Sequence, residues 1–226
     1  MPVRGYALTR WSRAFVDVVE GRTDVGSAGT VTESAHSRRI TKARRYFRDR
    51  HVHRLAISPG VVTASVEGSQ LEPFEVTLTM RTVDAPTVAV LLRAQGGIDE
   101  MLSIARGDQP RILGELIGPT ESADVASDCT CPDESVRCIH VLAVAYEVAA
   151  DIDRSALTLL TVMGIDLPGL LDALDASADR SVSTTGESDA EDSGPIAGVD
   201  FYGNGAAEPV RPSPPRMNPL TELDAG

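Results

Sequence analysis

The sequence predicts an α+β protein, and three observations support this prediction. Apolar residues recur at helical spacing over residues 9–50, alternate with polar residues over residues 52–80, and return to helical spacing from residue 84 onward. We therefore expect N-terminal helices, a small antiparallel sheet, a helical middle, a Cys- and His-rich knuckle that leads into a helix, and a disordered C-terminal tail. Aromatic residues make up only 4% of the chain, so the core is expected to consist mainly of Ala, Val, Leu and Ile.

Two helices are predicted before the sheet. Thr9 is a plausible N-cap for a helix over residues 9–20, whose apolar residues fall on one face. Residues 21–35 are rich in Gly, Ser and Thr and predict a loop. A second helix is predicted over residues 37–50, where apolar residues form one stripe and basic residues fill the opposite face.

Three strands are predicted where the period changes to two. They cover residues 52–57, 61–67 and 74–80. The turn Ser58-Pro59-Gly60 joins the first two strands as a hairpin, because Pro and Gly supply the backbone angles of a tight turn. These strands are expected to form the small antiparallel sheet.

Short helices are predicted through the rest of the ordered chain. Asp84 can cap the first of them and Pro86 fits its first turn, while Gly96-Gly97 ends it. Residues 118–127 are expected to be a connector. The remaining predicted helices cover residues 98–106, 111–117, 138–150, 155–163 and 167–174.

The chain is expected to divide into three parts. Residues 1–120 form an N-terminal α+β region that contains the basic helix, and residues 121–176 contain the knuckle and its following helices. Residues 177–226 are rich in Ser, Gly, Pro, Asp and Glu and offer too little apolar surface to offset the entropy of ordering, so a disordered tail is expected there.

Composition and motifs exclude several classes of function. No apolar run approaches the roughly 20 residues of a membrane span, and no signal-peptide pattern is present, so we expect a cytoplasmic protein without a membrane partner. There is no phosphate-binding Gly-x-x-x-x-Gly-Lys-Ser/Thr loop and no Gly-x-Ser-x-Gly elbow. No pair of carboxylates can be assigned as acid and base, and the chain is therefore not expected to be an enzyme.

One cluster of residues indicates metal chemistry. All three cysteines of the chain and one histidine lie within twelve residues, as Cys129-x-Cys131, six residues, then Cys138-x-His140. Three thiolates and one imidazole are the four ligands of a closed tetrahedral Zn²⁺ site, and a fully ligated ion is usually structural. A redox pair is the alternative, although Cys-x-Cys lacks the usual Cys-x-x-Cys spacing.

The segment from Cys129 to His140, with the apolar helix after it, resembles a SWIM-type zinc finger. The resemblance extends over roughly residues 9–175, because the helices, hairpin and finger occur in the order found in bacterial SWIM zinc finger proteins. It implies zinc ligation by the four residues that match the motif. It also implies a non-catalytic role in binding protein or DNA, often in association with a helicase-like ATPase of the Swi/Snf type. Acidic residues in the finger loop, such as Glu134, favour a protein-docking surface over a DNA contact.

The basic helix is the second candidate site. Residues 1–60 carry twelve basic and five acidic residues, although the whole chain has a net charge of −12. A cationic helix face can neutralise several phosphates, but it can equally be a solvated face or pair with the acidic C-terminal half. The candidate nucleic-acid-binding residues are Arg38, Lys42, Arg44, Arg45 and Arg48.

Three functions are therefore predicted from the sequence. The first is a non-enzymatic zinc-binding adaptor for protein or DNA, plausibly accessory to a helicase-like ATPase or a DNA-processing complex. The second is a direct nucleic-acid-binding module that acts through the basic helix over residues 37–50. The third is a redox sensor that releases zinc on oxidation.

Overall fold

The computed structural model describes residues 5–22, 30–97, 99–135 and 137–183. These residues form eight α-helices and four strands, largely in separate runs along the chain, which confirms the α+β class. The helices are α1 (Arg10–Val19), α2 (Thr30–Arg48), α3 (Ala85–Ala94), α4 (Glu100–Ala105), α5 (Arg111–Ile117), α6 (Ile139–Arg154), α7 (Ala156–Val162) and α8 (Leu167–Ser183). The strands are β1 (Val52–Ser58), β2 (Val61–Val66), β3 (Phe74–Met80) and β4 (Val125–Cys129).

The four strands form one antiparallel sheet in the order β1-β2-β3-β4. In β3 the residues alternate between buried and more exposed, as the two-residue period predicts for a sheet that covers a core on one face. β1 lies at an edge of the sheet, and its pairing with β2 is interrupted by a register shift between His53 and Ala56. Such a bulge twists an edge strand and hinders pairing with other chains.

Helix α6 lies at the centre of the molecule. Its sequence is apolar on every side, which is typical of a buried helix, and all but a few of its residues are buried. α1 and α2 pack against it, and it also contacts the sheet. The resulting core is continuous across the predicted boundary between residues 120 and 121, because residues on both sides belong to it.

The start of α1 is tied to the end of α6. Thr9 and Ser12 form the capping box of α1, which confirms Thr9 as the N-cap. Asp153 of α6 accepts hydrogen bonds from the Leu8 and Thr9 amides at 3.0 Å and 2.9 Å, and from the Ser12 hydroxyl. Burial raises the pKa of the Asp153 carboxyl, but these hydrogen bonds outweigh burial and the net pKa is lowered.

We expect Asp153→Asn to lower the free energy of unfolding by about 1–2 kcal/mol at pH 7, since hydrogen bonds to a charged group are lost. A carboxyl with a lowered folded-state pKa contributes stability above its unfolded pKa, about 3.9, and that contribution is lost as pH falls through the folded value. The difference between variant and wild type should therefore shrink below pH 4. Urea unfolding of both proteins at pH 7 and pH 3 measures this difference in stability. A difference that does not change with pH would contradict a stabilising role for the ionised Asp153 carboxylate.

The structure corrects three sequence predictions. Residues 125–129 form the fourth strand where a connector was predicted, because that strand is stabilised by pairing with β3 and its own apolar pattern is weak. Helix α2 begins at Thr30, inside the predicted loop, since extending a helix costs less than starting one. Helix α8 extends to Ser183, past the predicted start of the tail at 177, and the rest of that tail, 184–226, lies outside the described residues.

No single helix of the described ranges is long and apolar enough to cross a bilayer. The length and apolar composition of a membrane span are reached only by two helical segments taken together, Ala156–Val162 and Leu167–Ala176. These two segments are bent by 81° relative to each other.

Candidate metal centre

The four candidate ligands come from the end of β4 and the start of α6. Cys129 is the last residue of β4, and Cys138 is the N-cap of α6, where its Sγ accepts the Val141 amide at 3.5 Å. Between Cys129 and Cys131, Thr130 is held to β3 by two hydrogen bonds with Glu75: the Thr130 amide donates to the Glu75 carbonyl at 3.1 Å, and the Glu75 amide donates to the Thr130 hydroxyl at 3.0 Å. The sheet and the helix therefore fix both ends of the knuckle.

The ligand atoms converge on one point. The Sγ atoms of Cys129, Cys131 and Cys138 and a ring nitrogen of His140 all lie within 4.8 Å of one another. Nδ1 of His140 lies 3.8 Å from Sγ of Cys129 and 4.0 Å from Sγ of Cys138. Ideal Zn–S and Zn–N bonds in a tetrahedron place the ligand atoms about 3.5–3.8 Å apart, so the residues fit Zn²⁺ with only slight contraction.

Two aromatic rings position the imidazole of His140. The Phe74 ring lies 4.5 Å from it in a tilted arrangement, and the Tyr46 ring lies 5.6 Å from it edge-on. Phe74 comes from β3 and Tyr46 from α2, so two elements hold the ring. Neither residue can be assigned to the site from the sequence alone, since no short-range spacing connects them with His140.

Burial controls the protonation of the ligands. It raises the pKa of the Cys129 thiol and of the Cys138 thiol, because a buried thiolate without a cation is poorly solvated. It also lowers the pKa of His140, and the charge of Lys42 lowers it further. A neutral imidazole is the form that binds metal, and the positive charge of bound Zn²⁺ stabilises the thiolates.

Two cations of the basic helix α2, Arg39 and Lys42, lie close enough to the knuckle to affect the pKa values of its residues. Asp133 in the knuckle has a lowered pKa, mainly because the Ser135 hydroxyl donates to it and also because of the charge of Arg39. The charge of Lys42 lowers the pKa of His140, and the Lys42 ammonium lies 6.0 Å from the centre of the Tyr46 ring. Three thiolates and a neutral imidazole leave a zinc centre with a charge of about −1, so these cations offset it.

The five candidate nucleic-acid-binding residues do not share one environment. Arg38, Lys42, Arg45 and Arg48 are exposed, as the predicted outer face requires. Arg44 is half-buried, and its guanidinium lies 3.5 Å from the buried carboxylate of Glu20. Sequence spacing alone does not separate Arg44 from the others, because Glu20 lies on a different helix.

Comparisons with known proteins agree with this geometry. Residues 116–149 match the family model of the SWIM zinc finger. The chain is 26% identical over 227 residues to the uncharacterized protein Rv2102 of Mycobacterium tuberculosis (strain ATCC 25618 / H37Rv), across 96% of this chain and 78% of the relative. No solved structure matches. The family match covers the segment in which Cys129, Cys131, Cys138 and His140 converge, and this segment is a SWIM zinc finger, a zinc-binding module.

Proposed function

We propose that this protein is a non-enzymatic adaptor whose zinc ion is structural. The observation that supports the proposal is the donor set, since three thiolates and one imidazole from a single chain complete a tetrahedral shell. A catalytic zinc usually keeps one position for water or substrate. The ion would fasten β4 to α6 and so hold together the surface around the knuckle.

The partner that we propose for the adaptor is a helicase-like ATPase or another DNA-processing assembly. The proposal rests on the resemblance of the finger to its family and on the acidic knuckle loop, which suits a protein surface better than a phosphate backbone. Affinity purification of the tagged full chain from native lysate tests it, with Cys131→Ser as the matched control. A helicase-like ATPase recovered with the wild type and lost with Cys131→Ser is expected, and its absence from both samples would refute the partner.

The exposed cations of α2 favour a second candidate, direct binding of nucleic acid. Four exposed cations lie on this one helix: Arg38, Lys42, Arg45 and Arg48. Asp49 pairs with Arg45 at 3.3 Å. A row of cations at this spacing can contact several phosphates. Tyr46 is half-buried against His51 and His140, so it contributes to the packing of the knuckle and is poorly placed to stack on a base.

The salt dependence of binding tests this second candidate. The double variant Arg45→Ala/Arg48→Ala should weaken binding to double-stranded DNA and reduce the slope of log K against log[salt] by about 2, since each phosphate contact contributes about 0.9. Fluorescence anisotropy at several salt concentrations measures it. Arg111→Ala, which removes an exposed cation from α5, is the matched control. An absence of wild-type binding at low salt would eliminate the candidate.

A further inference from the structure

A second surface lies away from the knuckle, on helices α3 and α8. α3 packs against both α8 and α5. The Val83 amide donates to the Met163 carbonyl just before the starts of α3 and α8, and Arg93, near the end of α3, donates to the Leu174 carbonyl in the middle of α8. The two helices therefore run side by side in the same direction.

This surface is unusually apolar for one that faces solvent. Of the six large apolar side chains that are exposed among the described residues, three lie on these two helices. They are Val90, Leu91 and Leu171, which are 51%, 42% and 44% exposed. Isolated exposed apolar residues are ordinary, but Val90 and Leu91 are adjacent on α3, and larger exposed apolar patches mark interaction sites.

A groove extends the apolar surface at Leu91. It has a volume of about 340 Å³ and lies between the start of α3 and the end of α5. Its apolar walls come from Val83, Val88, Leu91, Leu116 and Met163. A groove of this kind accepts an apolar side chain of a partner, whereas the flat face of α3 alone would not.

Acidic residues surround these apolar positions. Asp84, Asp172 and Asp175 are exposed, and no described cation forms an ion pair with them. The nearby cations Arg81 and Arg111 are already paired, with Asp124 and Glu115 respectively, and a third cation, Arg93, donates to the Leu174 carbonyl. Around the groove and the two helices, these five acids outnumber the three cations. The rim of the surface is therefore negative, and a partner with basic flanks would be complementary to it.

We propose that α3, α8 and the groove at Leu91 form a docking surface for an amphipathic helical segment of a protein partner, with an apolar face flanked by Lys and Arg. This inference deepens the adaptor proposal, since it rests on that function and names where and how the partner binds. Helix-in-groove recognition uses this combination of apolar anchors and complementary charge.

The proposal is tested with synthetic peptides of about 18 residues, which form five helical turns. One peptide carries Leu on one face and Lys on its flanks, and a second has each Lys replaced by Glu. Binding to the full chain is followed by backbone amide NMR shifts and by fluorescence anisotropy. We expect the Lys peptide to bind more tightly than the Glu peptide and to shift amides of α3 and α8. Equal binding of the two peptides, or shifts confined to other elements, would overturn the proposal.

Variants of the surface give a second test. Val90→Ser/Leu91→Ser should reduce affinity for the Lys peptide by about tenfold or more, the loss typical of central apolar anchors. Leu157→Ser is the matched control, because Leu157 is similarly exposed on α7 and lies outside the surface. Both variants change only exposed side chains, and thermal melts confirm that each is folded. Unchanged affinity in a folded Val90→Ser/Leu91→Ser variant would refute the site.

Two further outcomes separate this inference from its alternatives. A concentration-dependent dimer of the wild type that Val90→Ser/Leu91→Ser abolishes would assign the surface to a second copy of the chain and overturn the proposal. In the lysate experiment, loss of the ATPase with Cys131→Ser but not with Val90→Ser/Leu91→Ser would leave the adaptor function standing and refute the docking surface. Loss with both variants would support both proposals.

Discussion

Replacing Cys138 by Ser is expected to reduce zinc from one ion per chain to none and to destabilise the protein. Cys138 is buried at the start of α6, within the core that this helix shares with α1, α2 and the sheet. A ligand that binds only the folded state stabilises it by about 4 kcal/mol when its free concentration is about 1,000 times its dissociation constant. Loss of that contribution should lower Tm by about 8–16 °C in a chain of this size. Elemental mass spectrometry and thermal melts measure the two effects.

The substitution separates metal binding from helix capping. Ser is a good N-cap residue, so Cys138→Ser keeps an acceptor for the Val141 amide and removes the thiolate. Cys131→Ser is the second variant, because Cys131 is half-buried and caps no helix. Both variants, and the wild type after chelation, should lose similar amounts of stability. Destabilisation by Cys138→Ser alone, with zinc retained, would show that the residue acts only through packing.

Replacing Arg44 by Met should lower the free energy of unfolding by about 2–3 kcal/mol. The Glu20 carboxylate is fully buried, accepts from the Tyr146 hydroxyl at 2.7 Å, and lies 3.5 Å from the Arg44 guanidinium and 2.5 Å from that of Arg22. Burial, and then the bond to Glu20, raise the pKa of Tyr146, so its hydroxyl stays protonated and donates. Breaking a fully buried ion pair costs about 3–5 kcal/mol. The expected loss is smaller here, because the Arg44 side chain is 44% exposed and Arg22 still contacts the carboxylate.

Arg45→Met is the matched control for this prediction. Arg45 is the next residue of α2, but its side chain is exposed and its ion pair with Asp49 lies at the surface. Exposed pairs of this kind contribute about 0.3–0.5 kcal/mol. Urea unfolding of both variants measures the difference. Equal losses in the two variants would mean that the Glu20 carboxylate does not depend on Arg44. The result also shows whether Arg44 can be replaced in the DNA-binding experiment, since the binding of a destabilised variant would not report on its phosphate contacts.

Most elements of the fold could be predicted from the sequence because their signals are local. The capping box of α1, the Asp84 cap of α3 and the all-round apolar pattern of α6 each lie within a few residues. The strand β4 could not be predicted in this way. Only Val125 of β4 is fully buried, and the strand exists because β3 supplies its hydrogen-bonding partner.

The candidate site shows the same division. The four zinc ligands were identified from twelve consecutive residues, since a knuckle is built from ligands that are close in sequence. Phe74 and Tyr46, which hold the imidazole, come from β3 and α2 and could be placed only by the fold. The docking surface on α3 and α8 has no sequence signature, because its apolar residues follow the same helical spacing as residues that are buried.

Local sequence patterns are sufficient to predict a donor set for Zn²⁺, a cationic helix and most elements of an α+β core. These properties depend on residue type and short spacing, which folding does not change. The packing of the helices is needed to distinguish the structural cations from the exposed ones. Arg44 and Arg45 are neighbours with the same charge, yet Arg44 contacts the buried carboxylate of Glu20, the C-cap of α1, and Arg45 faces solvent. Contacts between residues far apart in sequence depend on how the helices pack around α6, and local patterns carry no information about that packing.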